Sequence, residues 1–186
     1  MKHSTPIEIL ENLADIGVSK TNCTLRKLIL MGIMAGAYIA FAGVASTMGA
    51  FNLLAEADTY GLGRILCGAI FTGGLVIVTL AGAELFTGNT LITISVLEKK
   101  TTVAKMLKNW IIVYISNFAG SVLIAWLVYN SGVLSSGDGL LGAMTVKIAS
   151  GKVNLNFAQC FASGILCNWL VCLAVWASSG AKSTID

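Results

Sequence analysis

The stretch from Ile65 to Leu97 reads I-L-C-G-A-I-F-T-G-G-L-V-I-V-T-L-A-G-A-E-L-F-T-G-N-T-L-I-T-I-S-V-L and carries one charge, Glu84. As one α-helix its roughly 33 residues would extend about 50 Å, whereas the hydrocarbon core of a bilayer is about 30 Å thick. A single straight crossing is excluded, and the sequence shows where the break falls. Gly82, Gly88 and Asn89 weaken the helix between positions 82 and 90, while Glu84, Thr87 and Thr90 put polar atoms at membrane depth. Lipid offers freed backbone no hydrogen-bond partner, so this segment must be buried in protein or line a wet cavity. An interrupted span of this kind points to a substrate path.

Composition agrees with a membrane setting. Hydrophobic residues make up 56% and charged residues 11%, with a mean hydropathy of +0.83, whereas about 25% of an average soluble domain is charged. The net charge of +3 does not indicate nucleic acid, because the basic residues sit at the ends of apolar segments and form no stripe. Cys23, Cys67, Cys160, Cys167 and Cys172 lie mostly within apolar stretches without metal-ligand spacing, which reads as buried free thiols with no metal site or cofactor.

From the start, Thr5-Pro6-Ile7-Glu8 has the form of a capping box, with Pro6 at the first helical position. Ile9, Leu10, Leu13 and Ile16 then recur at helical spacing, so an amphipathic helix over about 6–18 is expected at the membrane surface or against the bundle. The first span covers about 28–50, with small residues including Gly32, Gly36 and Gly43 on one side for close helix packing. The second covers 65–97 with its break near 82–90, and a basic loop with Lys99, Lys100, Lys105 and Lys108 follows. The third covers 110–128, with Trp110, Trp126 and Tyr129 near its ends. A Gly- and Ser-containing connection over 130–156 leads to the fourth, 157–179. Nine basic residues (Lys2, Lys20, Arg26, Lys27, Lys99, Lys100, Lys105, Lys108 and Lys182) fall on one side and three (Arg64, Lys147 and Lys152) on the other. The positive-inside rule therefore makes the amino terminus cytoplasmic.

Two segments are more specific than composition. Ala81 to Asn89, A-G-A-E-L-F-T-G-N, resembles the first signature of the formate/nitrite transporter family, and Gly164 to Ala174, G-I-L-C-N-W-L-V-C-L-A, resembles the second. The resemblance implies an all-α, aquaporin-like fold with a three-plus-three inverted repeat, a multi-pass place in the cytoplasmic (inner) membrane and a homopentamer with a pore in each protomer. The echo of Gly32-Ile33-Met34-Ala35-Gly36 in Gly164-Ile165-Leu166-Cys167-Asn168 is what such a repeat leads one to look for. Family members have six spans and a histidine on a second broken helix. Here about four spans are present and the sole histidine is His3, so the chain is expected to be an incomplete stretch of a longer protein.

Carried over residue by residue, the resemblance makes Phe71 and Leu75 an inner pore constriction and Leu85 and Phe86 an outer one. Rings of this kind exclude hydrated ions by making loss of water costly. Their bland alternative is core packing. Thr87 matches a family threonine on the break, where its hydroxyl could meet an anion, cap the second half-helix, or do both. Lys152 and Asn168 match a lysine and an asparagine near the outer vestibule, Lys152 being otherwise a solvated loop residue. Glu84 reads as a structural partner for freed backbone N–H groups or for the helix N-terminus beyond the break.

The implied activity is passage of a small monovalent weak-acid anion, formate first, with nitrite or hydrosulfide as alternatives, coupled to a proton and without catalysis. A neutral-solute channel of aquaglyceroporin type is the competing transport reading. A membrane-embedded enzyme or an assembly subunit is the reading from another class, although no paired carboxylates, Cys/His site or nucleotide loop stand in its favour. The expected partners are the anion, membrane lipid and further copies of the chain.

Overall fold

The structure, a computed structural model, describes residues 4–181; His3, Lys2 and Lys182 lie outside the described residues. It is all-helical: α1 Pro6–Thr21, α2 Leu25–Ala55, α3 Tyr60–Leu80, α4 Phe86–Asn89, α5 Ile92–Leu97, α6 Val103–Asn130, α7 Leu140–Val153 and α8 Phe157–Gly180, with a short 3-10 turn at Val133–Ser135. Four of these, α2, α3, α6 and α8, are long and apolar enough to cross a membrane.

α1 starts where the sequence says it should. The Thr5 side chain accepts from the Glu8 N–H at 3.3 Å, and the Thr5 N–H donates to Glu8 Oε2 at 2.7 Å. Of the two places left open for this helix, the structure selects the bundle. Its Ile9, Leu13, Ala14 and Gly17 are buried, Ser95 Oγ donates to the Ala14 carbonyl at 2.7 Å, and a Cβ at Gly17 would overlap the Ser95 hydroxyl.

α2 is the central post, packed against α3 on one side and α6 on the other. Its contact with α6 is made by small residues: a Cβ on Gly36 would strike the Asn117 carbonyl, and one on Gly120 would strike the Ile33 carbonyl. Backbone thus meets backbone, the close approach that small residues permit in lipid. Gly74 of α3 meets Ala42 of α2 in the same way, whereas Gly43 faces open space.

Several boundaries differ from expectation. α2 runs Leu25–Ala55 rather than about 28–50. α3 begins at Tyr60 rather than Ile65, and the break resolves into an irregular turn over 81–85 followed by α4 and α5. α6 begins at Val103 rather than Trp110: Thr102 caps it, accepting from the Lys105 N–H at 3.3 Å. Lys105 and Lys108 therefore lie on its first turns rather than in a loop, their long stems able to carry the charge outward. The connection over 130–156 contains a complete helix, α7. Gly142 and Gly151 disguise it as loop, yet Leu141 and Met144 stand at helical spacing and are buried, Met144 clustering with Ala50 and Leu54 of α2. α8, opened by an Asn156–Gln159 capping box, has no buried residue before Gly180, which meets Ile9 of α1.

Candidate functional site

The break is built by helix signals that fail in sequence. α3 ends at Leu80, and Gly82 takes φ +65°, a left-handed conformation that glycine adopts without strain. The chain runs extended through Leu85 before α4 begins. Donors and acceptors released there need partners from elsewhere. The Glu84 N–H donates to the Met31 carbonyl of α2 at 3.2 Å. Asn117 of α6 supplies the rest: its Oδ1 accepts from the Phe86 N–H at 2.8 Å, and its Nδ2 donates to the carbonyls of Glu84 and Gly32, each at 2.8 Å.

This corrects two expectations. Glu84 does not serve freed N–H groups with its carboxylate. Instead, Glu84 Oε2 accepts from Lys20 Nζ of α1 at 2.9 Å and from Asn89 Nδ2 at 2.7 Å, because a cation stabilises a half-buried carboxylate more than a neutral amide does. Thr87 does not cap the second half-helix. It lies inside α4, whose N-cap is Leu85 and whose first N–H is met by Asn117. Among the described residues no hydrogen bond reaches the Thr87 hydroxyl; its carbonyl accepts from Thr90 Oγ1 at 2.7 Å.

Asn89 is the hub of the polar cluster and is fully buried. Its Oδ1 accepts from Lys20 Nζ at 2.8 Å, its Nδ2 also donates to Asn109 Oδ1 at 2.8 Å, and its carbonyl accepts from Trp110 Nε1 at 2.9 Å. The ring closes where Asn109 Nδ2 donates to the Lys20 carbonyl at 3.2 Å. Sequence reading counted Lys20 only as a topological charge and passed over Asn109 and Asn117. An asparagine inside an apolar span is itself a signal, since lipid does not tolerate an unpartnered amide. Lys100 makes a second α1 contact at 2.6 Å to Asp15, and that hydrogen bond raises the pKa of its ammonium.

A cavity of about 1090 Å³ opens beside the break. Leu75 and Leu85 both line it, as do Glu84, Lys20, Gly88 and Asn89. One member of each expected constriction is thus brought to a shared space. Phe71 and Phe86 are not among its lining residues. Phe71 is 42% exposed, and Phe86 stands edge-on to Trp110 and Tyr114 of α6, at centroid distances of 6.1 and 5.3 Å.

α8 packs against α4, and its last turns also line the cavity. Asn168 Nδ2 donates to Thr90 Oγ1 at 3.0 Å, and Cys172 Sγ is 3.2 Å from the same hydroxyl. Asn168 Oδ1 is buried and has no hydrogen-bond partner among the described residues. Lys152 occupies the exposed last turn of α7 rather than a loop, and no hydrogen bond joins it to Asn168. Among the described residues, no group of three or more His, Cys, Asp or Glu could hold a metal ion.

Four helices of spanning length, one of them, α3, running into the interrupted segment, define a multi-pass membrane protein. The family model for formate/nitrite transporters matches residues 7–186, and the chain belongs to that family. It is 35% identical to the formate channel BtFdhC of Bacillus thuringiensis, over 100% of this chain and 70% of that protein. It is 33% identical to the formate channel FocA of Haemophilus influenzae, over 98% of this chain and 63% of that protein. Among solved structures it resembles a pentameric formate channel with formate bound (TM-score 0.74, 33% identity, 86% of this chain and 62% of that one). It also resembles an FNT family ion channel (TM-score 0.82, 26% identity, 96% and 70%). The chain therefore spans about two thirds of the length of the relatives it matches.

Proposed function

We propose that this chain is the main part of a channel for a small weak-acid anion, formate first, acting as a homopentamer in the cytoplasmic membrane with its amino terminus inside. The observation that carries this reading is the break itself, an irregular polar turn beside a cavity, followed in α4 by Thr87, whose hydroxyl meets no protein group among the described residues. Charge balance supports it. Glu84 alone would repel an anion, but the Lys20 ammonium at 2.9 Å compensates that charge. Leu75 and Leu85 give the same space an apolar lining that disfavours hydrated ions.

In this reading Leu75 and Leu85, together with Phe71 and Phe86, act as constrictions, and Thr87 donates to the passing carboxylate. Gly82 lets the backbone turn beside the path, and Gly88, inside α4, lines the same space. Lys152 draws anions to the outer mouth, since an unpaired cation raises their local concentration. Asn168 Oδ1, a buried acceptor with no donor, is the kind of group that water or the O–H of a protonated weak acid satisfies, which suits proton-coupled movement. Formate uptake by proteoliposomes of the full chain, measured with and without a pH gradient, tests the reading. Uptake no faster than in protein-free vesicles would end it.

A further inference from the structure

We infer that Asn117 of α6 is a positioning residue that sets the width of the path at Leu85, by holding both ends of the irregular turn through one side chain; this rests on the channel reading above. The amide spends its oxygen on the Phe86 N–H, the first donor of α4, at 2.8 Å. One of its N–H bonds goes to the Glu84 carbonyl at 2.8 Å and the other to the Gly32 carbonyl of α2 at 2.8 Å. Leu85, which lines the cavity, is the single residue between the two clamped peptide groups. Three bonds from one planar amide fix the turn in distance and direction, and the third ties it to the central helix.

The clamp is itself rigid. Gly36 of α2 lies so close to the Asn117 backbone that a Cβ there would overlap its carbonyl, and Gly120, nearly one turn on, makes the reciprocal approach to Ile33. Ser121, on the neighbouring turn, donates to the Gly36 carbonyl at 3.1 Å. Asn117 thus stands where the α2 and α6 backbones meet and reaches across to the irregular turn. No other side chain hydrogen-bonds the backbone of Glu84, Leu85 or Phe86 among the described residues. Without the amide, the turn keeps its backbone bonds and the grip of Lys20 and Asn89 on the Glu84 carboxylate, but the two peptide groups that flank Leu85 lose their side-chain anchor and Leu85 is free to shift.

The test is a selectivity ratio, which does not depend on how much active protein each vesicle holds. Proteoliposomes of the full chain are loaded with wild type, Asn117→Leu or Asn117→Ser, and initial uptake of formate and of the larger acetate is measured in parallel. Leucine keeps the branched shape and heavy-atom count of the asparagine side chain but is bulkier and has no polar atom; serine is small and too short to reach the turn. We expect either change to raise the acetate-to-formate ratio about tenfold, the scale on which one methylene group is discriminated in a well-defined pocket. If Asn117→Leu does not assemble, Asn117→Ser decides, because serine sits readily on this face, as Ser116 and Ser121 do. A ratio equal to that of wild type in the folded variant overturns the inference. Wild type that moves neither anion overturns the channel reading instead, so the two failures are distinguishable.

Discussion

Lys20, on the last turn of α1, and Glu84, in the break after α3, form a 2.9 Å ion pair across 64 residues of sequence, with side chains 25% and 12% exposed. Both oppositely charged groups share Asn89, which accepts from one and donates to the other. The amino-terminal helix is therefore fastened to the polar turn rather than lying loose on the surface.

Removing one partner should hurt more than removing both. Lys20→Met leaves a half-buried carboxylate unpaired and is expected to destabilise by about 1–3 kcal/mol, whereas Lys20→Met combined with Glu84→Gln should recover part of that loss. Thermal unfolding in mild detergent measures it. A double variant less stable than Lys20→Met would show that the pair does not hold the helix.

The contact between α2 and α6 yields a packing prediction. Gly36→Ala and Gly120→Ala force a methyl group into a facing backbone carbonyl and should each destabilise by about 1–3 kcal/mol, the usual range for overpacking. Gly43→Ala, with nothing near its Cβ position, should be neutral or slightly stabilising, since alanine favours the helix. Equal effects at Gly36 and Gly43 would contradict the packing.

Local signals made much of this structure legible in the sequence. The Thr5–Glu8 capping box and the glycine at 82 act over a few residues, and each appears where expected; the excess length before Leu97 shows only that a break must come. What stayed hidden acts over distance. Nothing near Asn117 announces that it clamps Glu84 and Phe86, 33 and 31 residues away, and Lys20 looked like any basic residue after a short helix. α7 was missed because its glycines outweighed the spacing of Leu141 and Met144. Capping of α4 was one of the roles open to Thr87, since a free helix end invites a local cap, but α6 supplies that bond instead.

That last point makes Thr87 a sharper probe. Since its hydroxyl holds no protein group, Thr87→Val should change stability by less than about 0.5 kcal/mol, while slowing formate uptake more than uptake of a small neutral solute. Parallel fluxes in the same vesicles check this. An equal change in both would remove Thr87 from the substrate path.

Lys152 gives a concentration-dependent prediction. Lys152→Ala should slow anion uptake at low substrate and leave the maximal rate unchanged, because an exposed charge acts on encounter rather than on passage. The difference should shrink as salt rises. Identical uptake across all concentrations would return Lys152 to a solvated helix end.

The most direct measurement is initial uptake of labelled formate into proteoliposomes of the full chain, with the external pH varied at fixed internal pH. Uptake well above protein-free vesicles, increasing as the outside is acidified and suppressed by Thr87→Val, is the expected result. Uptake indistinguishable from protein-free vesicles at every pH would contradict a formate channel.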